Sequence, residues 1–241
     1  MTELRLNAAL DAAPYAAAYT RDAYVQVPDL LTPEAAEAVG AVLERGVDWD
    51  LFLSGATGPE VLDRAQLQAL GRETIARRLA EVDGRAREGF AYRYLGYPMI
   101  SAYLGGRDPG HLLHAVLEFM NSPELLDFAR AVTGEATVIK ADAQATFYRP
   151  GDYLTLHDDT GVGERRAAYT LGFTRRWRPD WGGQLLFHGP DGEIFRGLQP
   201  GFNVLTLFRT PQMHSVAPVA GYAGGPRLSI TGWLRDDPKP H

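Results

Sequence analysis

The residues with the clearest chemical potential are His157, Asp158 and Asp159, which close the run Tyr153-Leu154-Thr155-Leu156. That run alternates as a short strand does, and then enters a turn. Residues i and i+2 of a strand point to one face. His157 and Asp159 then present an imidazole and a carboxylate to the same point, while Asp158 points away. One neutral imidazole and one carboxylate make two-thirds of the facial set that holds non-haem Fe(II) with positions left open. By itself the pair says little. Six His and 30 acidic residues among 241 readily supply such a spacing by accident. Its meaning depends on a third ligand and a co-substrate site elsewhere in the chain.

A third ligand should be a His on a later strand, and His188 and His214 are the candidates. His214 follows the apolar run Val204-Leu205-Thr206-Leu207-Phe208. Arg227 then opens the last strand, Arg227-Leu228-Ser229-Ile230-Thr231-Gly232-Trp233. His188 follows a Gly-Gly strand and has no cation downstream of it, which favours a structural or substrate-side place. His111 and His114 share a helix face at i, i+3 spacing and read as surface residues. Trp177, Arg178 and Trp181 form an aromatic–basic loop, and Gly182-Gly183 reads as a tight turn or a close backbone approach.

These residues need a scaffold, and the chain changes character near Gly134. From there to Arg235, short β-prone runs are separated by Gly, Pro and Asp clusters. They lie near 136–141, 143–149, 153–157, 166–174, 183–188, 193–196, 202–208, 213–219 and 227–234. Many short strands at regular spacing indicate a sandwich, jelly roll or barrel. Before Gly134 the reading is mostly helical: about 4–19, then a helix to about Leu43 opened by Thr32 as N-cap, Pro33 and Glu34. A helix over about 59–82 is predicted from Leu62, Leu67, Leu70, Ile75 and Leu79. His111–Met120 and a segment opened by Ser122-Pro123-Glu124 complete the helices. Tyr24–Val27 is a strand, and Trp49–Gly58 reads as a loop. Phe90, Tyr92, Tyr94, Tyr97 and Tyr103 fit either a wall or lid or ordinary packing. The expected organisation is α+β in class. A helical support region at 1–133 packs on one sheet of a β core at 134–241, and both belong to one integrated domain.

Hydrophobic content of 45% and charged content of 22% are ordinary globular values. A net charge of −6 argues against a general nucleic-acid or anionic-membrane binder. The absence of cysteine excludes disulfides, thiolate metal sites and thiol nucleophiles. No stretch approaches a membrane span, and a basic n-region is lacking at the N-terminus. The expected location is the cytoplasm.

From Tyr148 to Arg235 the chain resembles the double-stranded β-helix (jelly-roll) core of the 2-oxoglutarate/Fe(II)-dependent oxygenases, and is most similar to the prolyl-4-hydroxylase-like branch. The matching features, in order, are Tyr148-Arg149-Pro150-Gly151, His157-x-Asp159, Trp181-Gly182-Gly183-Gln184-Leu185, the distal His214, and the Arg227 strand. The resemblance implies His157, Asp159 and His214 as ligands of Fe(II). It implies Arg227 as the bidentate partner of the far carboxylate of 2-oxoglutarate, with Tyr148 and Ser229 as further contacts. The branch often carries another Tyr after the turn, and Tyr169 lies near that place. The stretch from His214 to Arg227 is longer than usual, with Ala220–Gly225 as the apparent insertion.

The implied activity is hydroxylation of an unactivated C–H bond, in a prolyl residue of a peptide or protein or in a free amino acid. Fe(II), 2-oxoglutarate and O2 are required, with ascorbate as an accessory. A small-molecule hydroxylase of secondary metabolism uses the same core, and a non-catalytic cupin-like module is the alternative from another class. The complete ligand set together with Arg227 favours the enzyme.

Overall fold

The computed structural model describes residues 3–160 and 164–238. Local chemistry sets the helices. Asp11 accepts from Ala13 N and caps α1 (Ala12–Asp22), so that helix starts later than the Ala-rich composition suggested. After β1 (Tyr24–Pro28), Thr32 accepts from Ala35 N and Pro33 sits in the first turn of α2 (Pro33–Arg45), as an N-cap and a preset φ require. β2 (Asp50–Ser54) and β3 (Pro59–Leu62) precede α3 (Arg64–Ala86), which Asp63 and Gln66 open with a reciprocal capping box. β4 (Tyr92–Tyr97), α4 (Met99–Leu104), α5 (Leu112–Met120) and α6 (Pro123–Thr133) follow. Ser122 caps α6 through Leu125 N.

The remaining chain is β5 (Lys140–Ala141), β6 (Gln144–Tyr148), β7 (Tyr153–His157), β8 (Arg165–Phe173), β9 (Leu185–His188), β10 (Ile194–Leu198), β11 (Phe202–Arg209), β12 (His214–Val216) and β13 (Arg227–Arg235). Each falls on one of the nine β-prone runs read from the sequence. The strands form one antiparallel sheet whose main path is β1-β11-β8-β13-β6-β4-β7-β12-β9-β10. The path curls on itself. Tyr24 of β1 and Phe187 of β9, near opposite ends, bring their rings to 5.1 Å, and Arg196 of β10 lies 5.9 Å from the Tyr24 ring. The result is the jelly-roll, double-stranded β-helix architecture. Ala168, Leu185, Phe187, Leu198 and Phe208 fill one part of its interior.

Outside the roll, one face of the sheet is buried under helices. Val39 and Leu43 of α2, Leu113 and Val116 of α5, and Leu126 and Val132 of α6 pack with Leu171, Phe173, Leu205 and Ile230 of the strands. This is the helical layer on one sheet that the pattern predicts. A second apolar cluster joins Val82, Leu79 and Ile75 of α3 to Leu51, Leu53 and Tyr153.

Two parts of the N-terminal half differ from their reading. Trp49–Gly58 is not a loop, and 59–82 is not one helix: Asp50–Ser54 and Pro59–Leu62 pair as a hairpin, with Leu51 opposite Leu62. Leu62 happens to lie at helical spacing from Leu67 and Leu70, which made the apolar pattern look continuous. Asp63 ends that continuity by capping α3. More consequential is β4, which pairs with β2 along one side and with β7 and then β6 along the other. The N-terminal half therefore supplies central strands of the sheet as well as helices. Among the described residues, no helix is long and apolar enough to cross a membrane.

Candidate active site

His157 and His214 face each other across the ladder between β7 and β12, where they are register partners. Their ring centroids are 4.0 Å apart. Asp159 lies beyond the end of β7, in a left-handed backbone conformation with φ of 61°, a region that Asp tolerates better than most residues. That reversal returns its carboxylate to the two imidazoles. The Oδ1–His157 Nε2 distance is 3.6 Å and the Oδ2–His214 Nε2 distance is 3.5 Å. Asp158 accepts from the Thr160 N–H and hydroxyl instead. Strand parity selects the aspartate that converges with the imidazoles, but for an incorrect reason: Asp159 arrives by a turn, not by continuing the strand.

The imidazoles are held in the tautomer a metal needs. His157 Nδ1 is 2.9 Å from the Thr155 carbonyl and His214 Nδ1 is 2.6 Å from the Gln212 carbonyl. A carbonyl only accepts, so each Nδ1 carries the hydrogen and each Nε2 keeps its lone pair for the centre. Burial, and next the neighbouring His157, lower the His214 pKa to about 4, with Asp159 acting in the opposite direction. His214 is thus neutral at physiological pH. One ligand atom from each of His157, Asp159 and His214 lies within 4.8 Å of the others. Two neutral nitrogens and one carboxylate oxygen suit a divalent transition metal with open positions.

A cavity of about 780 Å³ runs from this cluster to Arg227. Arg227 is 4% exposed, and it opens β13 directly opposite Tyr148 of β6. Its guanidinium carbon lies 5.0 Å from the Tyr148 ring centroid. Its Nη1 is buried and has no hydrogen-bond partner. A guanidinium N–H left this way is costly unless an acceptor arrives. Burial pushes the Tyr148 hydroxyl up to about 12, so it stays protonated. Two pairs along the same ladder, Ser229 Oγ is 2.8 Å from Thr146 Oγ1, and both are buried. Arg227, Ser229, Tyr148 and Thr146 share one face.

Aromatic rings support that end from the N-terminal half. Tyr94 of β4 stacks on Tyr148 at 5.0 Å and on Phe52 of β2 at 5.7 Å. Tyr92 and Phe90 continue the row outward, and Phe90 reaches to 5.3 Å from His157. Of the aromatic run, Phe90, Tyr92 and Tyr94 are a cavity wall, whereas Tyr97 and Tyr103 bond Asp108 and Glu118 elsewhere. The glycine pair supports Arg227 from behind. Gly183, at φ of 68°, would bring a Cβ to 3.4 Å from Arg227 Cδ and 3.1 Å from Trp177, and a Cβ on Gly182 would meet the Pro218 carbonyl.

The other candidates are placed apart from the ligands. His188 follows Phe187, the register partner of His214, so it points to the opposite face and contacts Ser215 Oγ at 3.0 Å. His111 caps α5 and contacts the Gly46 carbonyl. Tyr169 lines the cavity, and its hydroxyl donates to the Asp142 carbonyl at 2.5 Å. Within the apparent insertion, Tyr222 donates to the Asp180 carbonyl and Gly224 lies against the Trp181 ring, so this loop packs on the tryptophan turn. Thr146, Arg165 and Trp233 carry no sequence assignment. Parity along β13, counted from Arg227, is the signal that would have placed Trp233 on the site's face.

Residues 143–235 match the model of the 2OG-Fe(II) oxygenase superfamily. The prolyl 3-hydroxylase sudestada1 of Drosophila melanogaster is 27% identical over 195 residues, covering 74% of this chain and 34% of that protein. The PKHD-type hydroxylase Mmar10_1675 of Maricaulis maris (strain MCS10) is 38% identical over 91 residues, covering 36% of this chain and 39% of that protein. The chain thus spans little more than a third of the curated relatives it matches. A Pseudomonas putida prolyl-4-hydroxylase superposes with a TM-score of 0.58 at 20% identity, covering 94% of this chain and 99% of that one. A Trichoplax adhaerens prolyl hydroxylase, solved with a hypoxia inducible factor oxygen degradation domain peptide fragment, gives 0.58 at 16%, covering 93% and 89%. At such identities the likeness is one of fold. The matched segment, 143–235, carries both facing histidines, Asp159 and Arg227, and it is similar to the 2OG-Fe(II) oxygenase superfamily in that stretch.

Proposed function

We propose that the chain is an Fe(II)/2-oxoglutarate-dependent dioxygenase that hydroxylates a prolyl residue in a peptide or protein. The observation that carries the reading is the pairing of two sites across one cavity. His157, Asp159 and His214 converge at one end, and the unpartnered Nη1 of buried Arg227 waits at the other. The residues fit the two groups. An N2O donor set with open positions suits Fe(II), and a buried guanidinium suits the far carboxylate of a dicarboxylate.

His157, Asp159 and His214 hold the metal in this reading, and Arg227 holds 2-oxoglutarate with Tyr148, Ser229 and Thr146 beside it. Iron and 2-oxoglutarate, when bound, supply the oxidising power: one oxygen atom of O2 enters succinate, CO2 leaves, and the other converts C–H to C–OH. The protein's own work is positioning and the exclusion of water. The carbonyls of Thr155 and Gln212 keep Nε2 of each imidazole available. The rings of Phe90, Tyr92 and Tyr94 give the cavity an apolar wall from its rim inward. No general base is needed. The prolyl and peptide parts rest on the named activities of the relatives and on the peptide bound by the Trichoplax adhaerens protein. We also propose that 1–133 and 134–241 work as one unit, because β4 pairs with both β6 and β7 of the second segment.

Turnover with proline-containing peptides tests the function. Succinate should form in step with a +16 Da peptide product, and His157→Ala and Arg227→Ala should abolish both. If such peptides give no succinate above the uncoupled rate while free amino acids or small molecules do, the peptide assignment falls.

A further inference from the structure

Trp233 lies on the strand that Arg227 opens, two residues before its end. Alternation along β13 puts Arg227, Ser229, Thr231 and Trp233 on one face. The Trp233 indole Nε1–H donates to Asp159 Oδ2 at 3.0 Å. Arg165 covers the indole, its guanidinium carbon 3.5 Å from the ring, and its Nη1 is 3.8 Å from Asp159 Oδ1. The indole also packs on the apolar cluster of Ala168, Leu185, Phe187 and Phe208. It is a ring held on both sides, with its single donor aimed at one carboxylate oxygen.

We infer that Trp233 is a positioning residue for the metal centre: its indole N–H holds Oδ2 of Asp159, so that the carboxylate offers Oδ1 as a single ligand atom. The inference rests on the reading of His157, Asp159 and His214 as metal ligands. Its physical basis is the freedom of a carboxylate. The left-handed backbone at Asp159 fixes where Cβ points, but the terminal torsion of Asp is broad. An unrestrained carboxylate can turn and grip a metal with both oxygens, which would consume a position that the chemistry needs open. An indole is a donor only and cannot move its hydrogen elsewhere. It therefore occupies Oδ2 and fixes the carboxylate plane. Arg165 restrains the indole and places a positive charge beside the carboxylate. Donors of this kind, one bond removed from a metal, typically change its affinity about 10- to 100-fold.

The test uses the full chain, Co(II) as the probe metal, and no 2-oxoglutarate or O2. Trp233→Phe keeps a ring under Arg165 and in the apolar cluster but removes the N–H. Co(II) should bind it about 10- to 100-fold more weakly, with an altered visible d–d spectrum as the second carboxylate oxygen enters, while the melting temperature stays near that of wild type. Arg165→Gln, which leaves the N–H in place, should weaken binding less. A separate measurement needs no variant at 233. In wild-type protein with 15N-labelled tryptophan, one of the four indole N–H signals should move on Zn(II) binding and remain protected from exchange. Wild-type Co(II) affinity and spectrum in Trp233→Phe, or indole signals indifferent to Zn(II), would overturn the role of Trp233 and leave the metal reading standing. Equal binding by wild type and His157→Ala would overturn both.

Discussion

The two ends of the cavity are built by different means. At the His157–Asp159–His214 end, each side chain is fixed by one short polar link: the Thr155 carbonyl, the Gln212 carbonyl and the Trp233 indole. At the Arg227 end, the cation is sealed among rings, and the Phe52–Tyr94–Tyr148 stack leads from the hairpin of the N-terminal half to the guanidinium. The first arrangement sets direction, because a hydrogen bond selects a tautomer and an orientation. The second sets environment, because a buried cation interacts strongly with an anion where water is excluded. A metal needs lone pairs aimed at one point. A dicarboxylate needs a charge in a dry slot.

That contrast can be broken most severely by exchanging which end is disabled. His157→Ala should abolish Co(II) binding and turnover together. Arg227→Lys should leave Co(II) binding intact and raise the KM for 2-oxoglutarate roughly 10- to 100-fold, the cost of about 1.5–3 kcal/mol for a lost charge-assisted hydrogen bond. Parallel metal titrations and 2-oxoglutarate kinetics on both variants check this. If Arg227→Lys weakens metal binding as much as it weakens 2-oxoglutarate, the two ends are not independent.

The aromatic support predicts a stability effect on one side alone. Tyr94→Ala empties the middle of the stack and should cost about 2–3 kcal/mol in urea unfolding, below the usual range for a fully buried aromatic because Tyr94 is only partly buried. Tyr94→Phe, which loses the bond from Gln144 but keeps both stacks, should cost about 1 kcal/mol. The KM for 2-oxoglutarate should rise in the alanine variant and barely move in the phenylalanine one.

A smaller effect separates the ends by pH. His214 has its pKa lowered to about 4 in the folded chain, chiefly by burial. An unfolded histidine titrates near 6.5. Between those values the unfolded chain binds the extra proton, so metal-free stability should fall as pH drops from about 6.5 to about 4 and be insensitive to this group below that. Thermal melts across the range, repeated on His214→Gln, should show a shallower acid slope in the variant. Identical slopes would remove His214 from the account.

Much of the chemistry was legible because it is local. The facing pair is written as a His at the end of each of two short strands, and Arg227 opens a third. Nine β-prone runs separated by Gly and Pro become nine strands, since alternation and turn residues act within a few positions. The capped starts of α2 and α6 are legible for the same reason: Thr32-Pro33 and Ser122-Pro123 settle them within one turn. The 50–62 hairpin was lost because Leu62 continues an apolar spacing that belongs to the next element.

The sequence by itself determined the residue types and their order along the chain: an imidazole, a carboxylate, a second imidazole and a cation, on strands. Only the tertiary structure decided which groups touch. β4 runs alongside β6 and β7, and so Tyr94 meets Tyr148 across a sequence separation no local pattern records. Asp159 reaches the imidazoles through a left-handed turn, and its Oδ2 accepts from the indole of Trp233 on the last strand. Alternation fixes which face a side chain takes; the partner on that face depends on which strand lies alongside, and that is set by the closure of the whole sheet.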